Sequence, residues 1–170
     1  MMTIFGSTCS LSSAMRRAGA AAVVLAFAVS AGHAQSGPFS SLNGAWSGTG
    51  TVSLSDGSKE RIRCRAQYRV GSNGNALKQS LRCASDSYRF DLSSDVTAQG
   101  NRVAGTWGEA SRNLYGDLQG QISGNEINVF VTAAGFAGNL SVTTRGNRQS
   151  VTIDSKGDLR GVSITMSRGS

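Results

Sequence analysis

The sequence is poor in the residues on which catalysis, crosslinking and transmembrane anchoring usually depend. Its 170 residues include one histidine, one proline, three cysteines and 6% aromatics. The longest small and apolar run, Ala18 to Ala31, covers about 14 residues, short of the ~20 that a membrane-spanning helix needs. With 39% apolar residues and strand formers throughout, collagen-like, disordered and coiled-coil classes have no support. What the chain does have is 22 glycines and an excess of positive charge, 17 basic against 10 acidic side chains. A folded, glycine-rich β protein of one domain's length is the class that remains.

Arg16 and Arg17 precede the apolar run, and Gly32, His33 and Ala34 supply the small residues that a signal peptidase reads. Residues 1–34 are therefore expected to be a cleaved secretory signal peptide, which places the protein in the periplasm or outside the cell. The adjacent arginines suggest a twin-arginine signal, but Ala18 and Gly19 follow where larger apolar residues are usual, so the general secretory route is expected. No cysteine follows the cleavage point to make a lipoprotein. Residues 35–42 form a short lead, and 43–170 a single domain.

Cleavage removes 34 of the 170 residues, leaving 136, with 15 of the 17 basic residues, all 10 acidic ones and a net charge of +5. It also removes His33, and with it Ser-His, Cys-His and histidine-ligated metal chemistry. No motif calls for a cofactor or a metal. Cys64 and Cys83 remain as a pair in an oxidising compartment, where a disulfide is the expectation.

Asn73-Gly74, Gly100-Asn101, Gly124-Asn125 and Gly146-Asn147 are each flanked by alternating apolar and polar residues, the pattern of two-residue hairpin loops. A hairpin centred on Asn73-Gly74 sets Val70 opposite Leu77, Ala66 opposite Leu81 and Cys64 opposite Cys83. Counted from that loop, the cysteines form a hydrogen-bonded pair, with some strain or a bulge expected. The later turns oppose Ala98 to Val103, Ile122 to Ile127, Leu118 to Val131, Val142 to Val151 and Leu140 to Ile153. A three-residue loop at Asp56-Gly57-Ser58 places Val52 beside Ile62 and Trp46 beside Tyr68.

The chain thus divides into about ten antiparallel strands, near 44–54, 60–71, 75–84, 87–98, 102–110, 114–123, 126–133, 137–145, 148–154 and 160–168, with no helix expected. An up-and-down meander of 8–10 strands closed into an all-β barrel with one disulfide buries the apolar face and removes the edges; a sandwich is the alternative. Ser47, Thr49, Thr51 and Ser53 on one strand and Arg61, Arg63, Arg65, Gln67 and Arg69 on the next face outward. These lack the apolar band of a membrane barrel, so a soluble protein is expected.

Gly44-Ala45-Trp46 resembles the Gly-x-Trp start of lipocalin and avidin-like (calycin-type) barrels, a resemblance that implies a tryptophan plugging one barrel end. Ile62-Arg63-Cys64-Arg65, Leu81-Arg82-Cys83-Ala84-Ser85, Ser87-Tyr88 and Gly105-Thr106-Trp107 resemble a group of small exported bacterial proteins of unknown function. Gly44, Trp46, Cys64 and Cys83 also resemble periplasmic protease inhibitors, which use an extended N-terminal segment; Gln35 to Leu42 offer a short one.

Three candidates for function follow. Gly48, Gly50, Gly105, Gly116, Gly120 and Gly138 fall on the inner face, where they either permit sharp coiling or leave a cavity. Trp46, Tyr68, Tyr88, Phe90 and Trp107 would line such a cavity for a small apolar or amphipathic ligand. Arg61, Arg63, Arg65, Arg69, Lys78, Arg82 and Arg89 form a basic outer face, with Arg89 beside Arg82 if the chain turns at Ser85-Asp86. That face is either a solvated surface or a site for an anionic lipid, an acidic glycan or an acidic protein. Nucleic acid is not expected, because no aromatics interleave with these arginines. Among the ten carboxylates only Glu109 has the parity of an inner-rim group. The sequence therefore points to a ligand-binding barrel with no catalytic residues and no enzymatic activity, and alternatively to a protein-binding, inhibitor-like module.

Overall fold

The computed structural model describes residues 36–71 and 73–169. The export signal expected over 1–34 lies outside the described residues.

Ten antiparallel strands run in chain order around a closed barrel: β1 (Gly44–Leu54), β2 (Lys59–Val70), β3 (Ala76–Ala84), β4 (Arg89–Gln99), β5 (Arg102–Glu109), β6 (Leu114–Ser123), β7 (Glu126–Ala133), β8 (Phe136–Arg145), β9 (Arg148–Ser155) and β10 (Leu159–Arg168). Each pairs with its neighbour in sequence, and β1 pairs with β10 to close the sheet. The period-two apolar pattern puts one face of every strand inside, and closure leaves no edge to aggregate. Two single-turn 3-10 helices, Ser40–Leu42 and Ala110–Arg112, are the helical elements among the described residues.

Gly100, Gly124 and Gly146 take φ of 62°, 57° and 57°. They occupy the first loop position, where a type II′ turn requires positive φ, and so fix the registers of β4–β5, β6–β7 and β8–β9. Ala98 faces Val103, Leu118 faces Val131 and Leu140 faces Ile153, as the sequence implies.

Three hairpins differ from expectation in their loops: β1–β2, β2–β3 and, on the basic face, β3–β4. In β1–β2, Leu54 pairs with Ser58 (N–H to O 3.0 Å), and Gly57, at φ 85°, ends the three-residue loop instead of centring it. That is the left-handed position following a type I turn. Asp56 accepts the Ser58 amide and holds the turn. Every pairing therefore moves by two residues: Trp46 faces Ala66, not Tyr68, and Gly50, not Val52, faces Ile62.

In β2–β3 the ladder ends where the Gly71 amide donates to the Ala76 carbonyl, so the connection spans 72–75 and is four residues long. The cross-strand partners are unchanged, with Cys64 opposite Cys83, but the hydrogen-bonding parity is reversed. The cysteines form a non-hydrogen-bonded pair, the close kind, with Cα atoms 4.1 Å apart, and are joined as a disulfide. Closing this loop stabilises the fold by about 3 kcal/mol on the chain-entropy estimate.

Inner glycines mark where strands press together. A Cβ on Gly48, Gly105, Gly116 or Gly120 would run into the carbonyl oxygen of Thr165, Asp95, Thr132 or Asn128 on the adjacent strand. Their first role is therefore close backbone approach in a coiled sheet. Each also contributes no side chain to the lumen.

Candidate functional site

The meander places alternate connections at opposite ends of the barrel, and the ends are built differently. At one end the lead folds across the opening: Gly37 and Phe39 donate amides to the carbonyls of Asn73 and Gly74, and Phe39 and Leu42 are buried. The lead is thus packed into the barrel instead of extending as an inhibitor segment would. Trp46 stands above it, 1% exposed, its indole N–H donating to the Leu42 carbonyl at 2.8 Å.

Across the closing seam the Arg168 guanidinium lies 4.7 Å from the centre of the Trp46 ring and donates to the carbonyls of Asn43 (2.7 Å) and Ser41. Tyr68, edge-on to Trp46 at 6.4 Å, donates its hydroxyl to Gln149 Oε1 at 2.8 Å. Gln149, 1% exposed, in turn donates to Thr144 Oγ1. Burial pushes the Tyr68 phenol well above its ordinary value, against the opposing effect of the Gln149 hydrogen bond, so it stays a neutral donor.

The opposite end has no such plug among the described residues. There the inward side chains Phe90, Leu92, Trp107, Phe136, Leu140 and Val162 pack against the core but keep partial solvent access. Tyr88 and Phe90 stack at 5.7 Å, and Trp107 meets Phe136 edge-on at 5.7 Å. Arg112 lies over the Phe90 ring at 4.9 Å and the Tyr88 ring at 5.7 Å. Such cation–ring contacts contribute about 0.5–2 kcal/mol according to their exposure.

Glu109 closes the rim. It is 3% exposed and accepts hydrogen bonds from the amides of Asp91, Ser111 and Arg112 and the Ser111 hydroxyl, with Arg112 Nη1 3.4 Å away. Burial raises the carboxyl's pKa, but the hydrogen bonds, the Asp91 amide first, outweigh it and hold the pKa below its ordinary value. As an ionised cap on the Ala110–Arg112 turn, Glu109 has a structural use for its inward placement. Among the described residues no group of three metal-ligating side chains converges.

The five aromatics expected to line one cavity are therefore divided. Trp46 and Tyr68 belong to the plugged end, with their polar atoms satisfied, whereas Tyr88, Phe90 and Trp107 sit at the mouth. Arg168, Gln149, Phe136 and Arg112 were not anticipated. Gln149 and Arg168 had a signal in their inward parity at polar positions; the proximity of Arg168 to Trp46 had none, because no turn connects β1 to β10.

The basic face also changes. The β3–β4 connection pairs Ser85 with Tyr88, one residue further along than expected, so Arg82 faces Asp91 and Arg89 faces Ala84. Arg82 pairs with Asp91 at 3.2 Å and Lys78 with Asp95 at 3.1 Å. Arg65 does lie opposite Arg82, and Arg61, Arg63 and Arg69 point outward along β2. A groove of about 1010 Å³ crosses this outer face, and Arg63, Arg65, Arg82 and Arg89 contribute to its lining.

A ten-stranded calycin-type barrel, plugged at one end and lined by apolar side chains at the other, is what these observations define. Among solved structures the chain resembles Rv2717c from M. tuberculosis, with a TM-score of 0.63 and 13% identity over 77% of this chain and 94% of that one. It also resembles the S-type phycobiliprotein lyase CPES from Guillardia theta, with a TM-score of 0.55 and 8% identity over 78% and 90%. At these identities the likeness is one of fold. No protein-family model and no curated protein sequence matches the chain.

The second neighbour overturns one expectation. A missing histidine and a barrel fold had suggested a protein without enzymatic activity, yet an enzyme, a lyase, carries this fold. The inference failed because histidine is only one of several side chains able to move protons or stabilise charge, and a lumen can orient a reactive molecule without it.

Proposed function

We propose that the protein is an exported binding barrel that takes a small apolar or amphipathic molecule through its unplugged mouth. The observation that carries this is the partial exposure of inward apolar side chains on β4, β5, β8 and β10, where a filled core would bury them. Two features support it. Ten strands enclose a wider lumen than eight, which already leave room for one small ligand. Six inner positions are glycine and add nothing to fill it. Tyr88, Phe90, Trp107 and Phe136 supply flat apolar contact at the entrance, and Arg112 places one cation beside them for a polar or anionic end of the ligand.

The test uses a neutral fluorescent apolar probe, Nile red, so that the arginines of the outer face take no part. The mature protein should bind it saturably with a blue shift, and Leu140→Trp, which fills the lumen below the mouth, should abolish uptake while leaving the fold intact. Absence of saturable uptake by the folded wild-type protein would remove the calyx proposal.

A further inference from the structure

We infer that the outer groove across β1–β4 is a second binding site, independent of the lumen, and that its occupant is a linear acidic polysaccharide. Four arginines, Arg63, Arg65, Arg82 and Arg89, contribute to a concavity of about 1010 Å³. Only Arg82 has a carboxylate partner, since the ion pairs among the described residues are Lys78–Asp95, Arg82–Asp91 and Arg112–Glu109. Arg65 lies directly opposite Arg82, and the single carboxylate Asp91, paired with Arg82, leaves the Arg65 charge unbalanced beside it. Positive charge concentrated in a concave surface strengthens the local potential and favours an anion there.

The spacing and the floor choose the occupant. Ala84 separates Arg63 on β2 from Arg89 on β4, so these two guanidinium stems stand two strand spacings, roughly 9–10 Å, apart with a small side chain between them. One row further along the strands, Arg65 and Arg82 stand side by side. A narrow chain carrying repeated carboxylates can lie on the small residues, with guanidinium forks on its acid groups and Ser80 offering a hydroxyl to its sugars. A bilayer surface is flat and is bound best where apolar side chains insert, and the outward residues of this groove are arginine, serine, alanine, glutamine, glycine and aspartate.

The probe is polygalacturonate, with neutral dextran as the comparison and vesicles of phosphatidylcholine and phosphatidylglycerol in equal parts as a separate arm. The wild-type protein should bind polygalacturonate in a salt-dependent way and ignore dextran. Replacing Arg63, Arg65 and Arg89 together by serine should weaken binding at least about tenfold, the loss expected for several charge-assisted contacts. Replacing Arg102, Arg145 and Arg148 by serine removes the same charge elsewhere and should leave affinity within about twofold. Equal losses in the two triple variants, no binding by the wild type, or vesicle binding abolished by the groove triple in place of polysaccharide binding would each overturn the inference. Nile red uptake should survive the groove triple, so the two sites fail separately.

Discussion

The two ends of the barrel solve the same problem in opposite ways. At the plugged end most inward polar atoms described above have a partner: indole to Leu42, phenol to Gln149, Gln149 to Thr144, and the two guanidinium Nη atoms of Arg168 to the carbonyls of Asn43 and Ser41, with Arg168 Nε buried and unpaired. At the mouth, apolar surface is left partly wet and the charged groups, Glu109 and Arg112, are kept to the rim. Val70, Ile127 and Val142, toward the plugged end, are partly exposed as well, so the contrast rests on the buried aromatic and polar cluster around Trp46; at the mouth a ligand would add stability by covering apolar area.

The sharpest way to break this contrast is to delete one tryptophan from each end. Trp46→Ala should cost about 3–5 kcal/mol in denaturant unfolding, since it empties a fully buried site and leaves Arg168 without its ring. Trp107→Ala should cost about 1–2 kcal/mol, in keeping with its partial exposure. Comparable losses would mean that the mouth is as tightly packed as the base.

A smaller effect tests the polar network alone. Tyr68→Phe keeps the ring and removes the donor to Gln149, so unfolding should become easier by about 1–2 kcal/mol, the cost of an unpaired buried acceptor. Nile red affinity should be unchanged, because Tyr68 is remote from the mouth.

The smallest effect belongs to the rim. The Glu109 carboxyl is held below its ordinary value, so its contribution is fully present above the unfolded pKa of about 4.3 and is lost as pH falls through the lower folded value. Amide exchange at Asp91 and Arg112 should therefore lose protection in acid before that at the plugged end does. Glu109→Gln should remove this pH dependence.

Most of the barrel was legible because glycine at a fixed loop position dictates hairpin register, and three of the turns obeyed that rule. Where loop length was ambiguous, legibility failed locally: Gly57 ends its loop, and the connection over 72–75 is two residues longer than its Asn-Gly suggested. The register errors, in β1–β2 and in β3–β4, were invisible to the apolar pattern, since a shift of two residues keeps every side chain on its own face, and the longer 72–75 loop left the β2–β3 partners unchanged. The mouth was legible in Phe90 and Trp107, whose parity points them inward. Arg112 was not, because its position depends on a 3-10 turn held by the Glu109 side chain, a tertiary contact without a periodic signal.

The closing seam has a kinetic consequence. Nine of the ten strand pairings join neighbours in sequence and need only short loops to close, so their entropy cost is paid in small instalments as each hairpin forms. The tenth, β1 with β10, brings Trp46 to Arg168 across the whole length of the domain. Until β10 docks, the curled sheet has two bare edges and Trp46 has no cation over its ring. Folding should therefore have its late barrier at this single long-range zippering. Substitutions along β1 and β10 would then change the folding rate and hairpin substitutions would do so less, and the half-closed sheet, with both edges free, is the species most exposed to self-association.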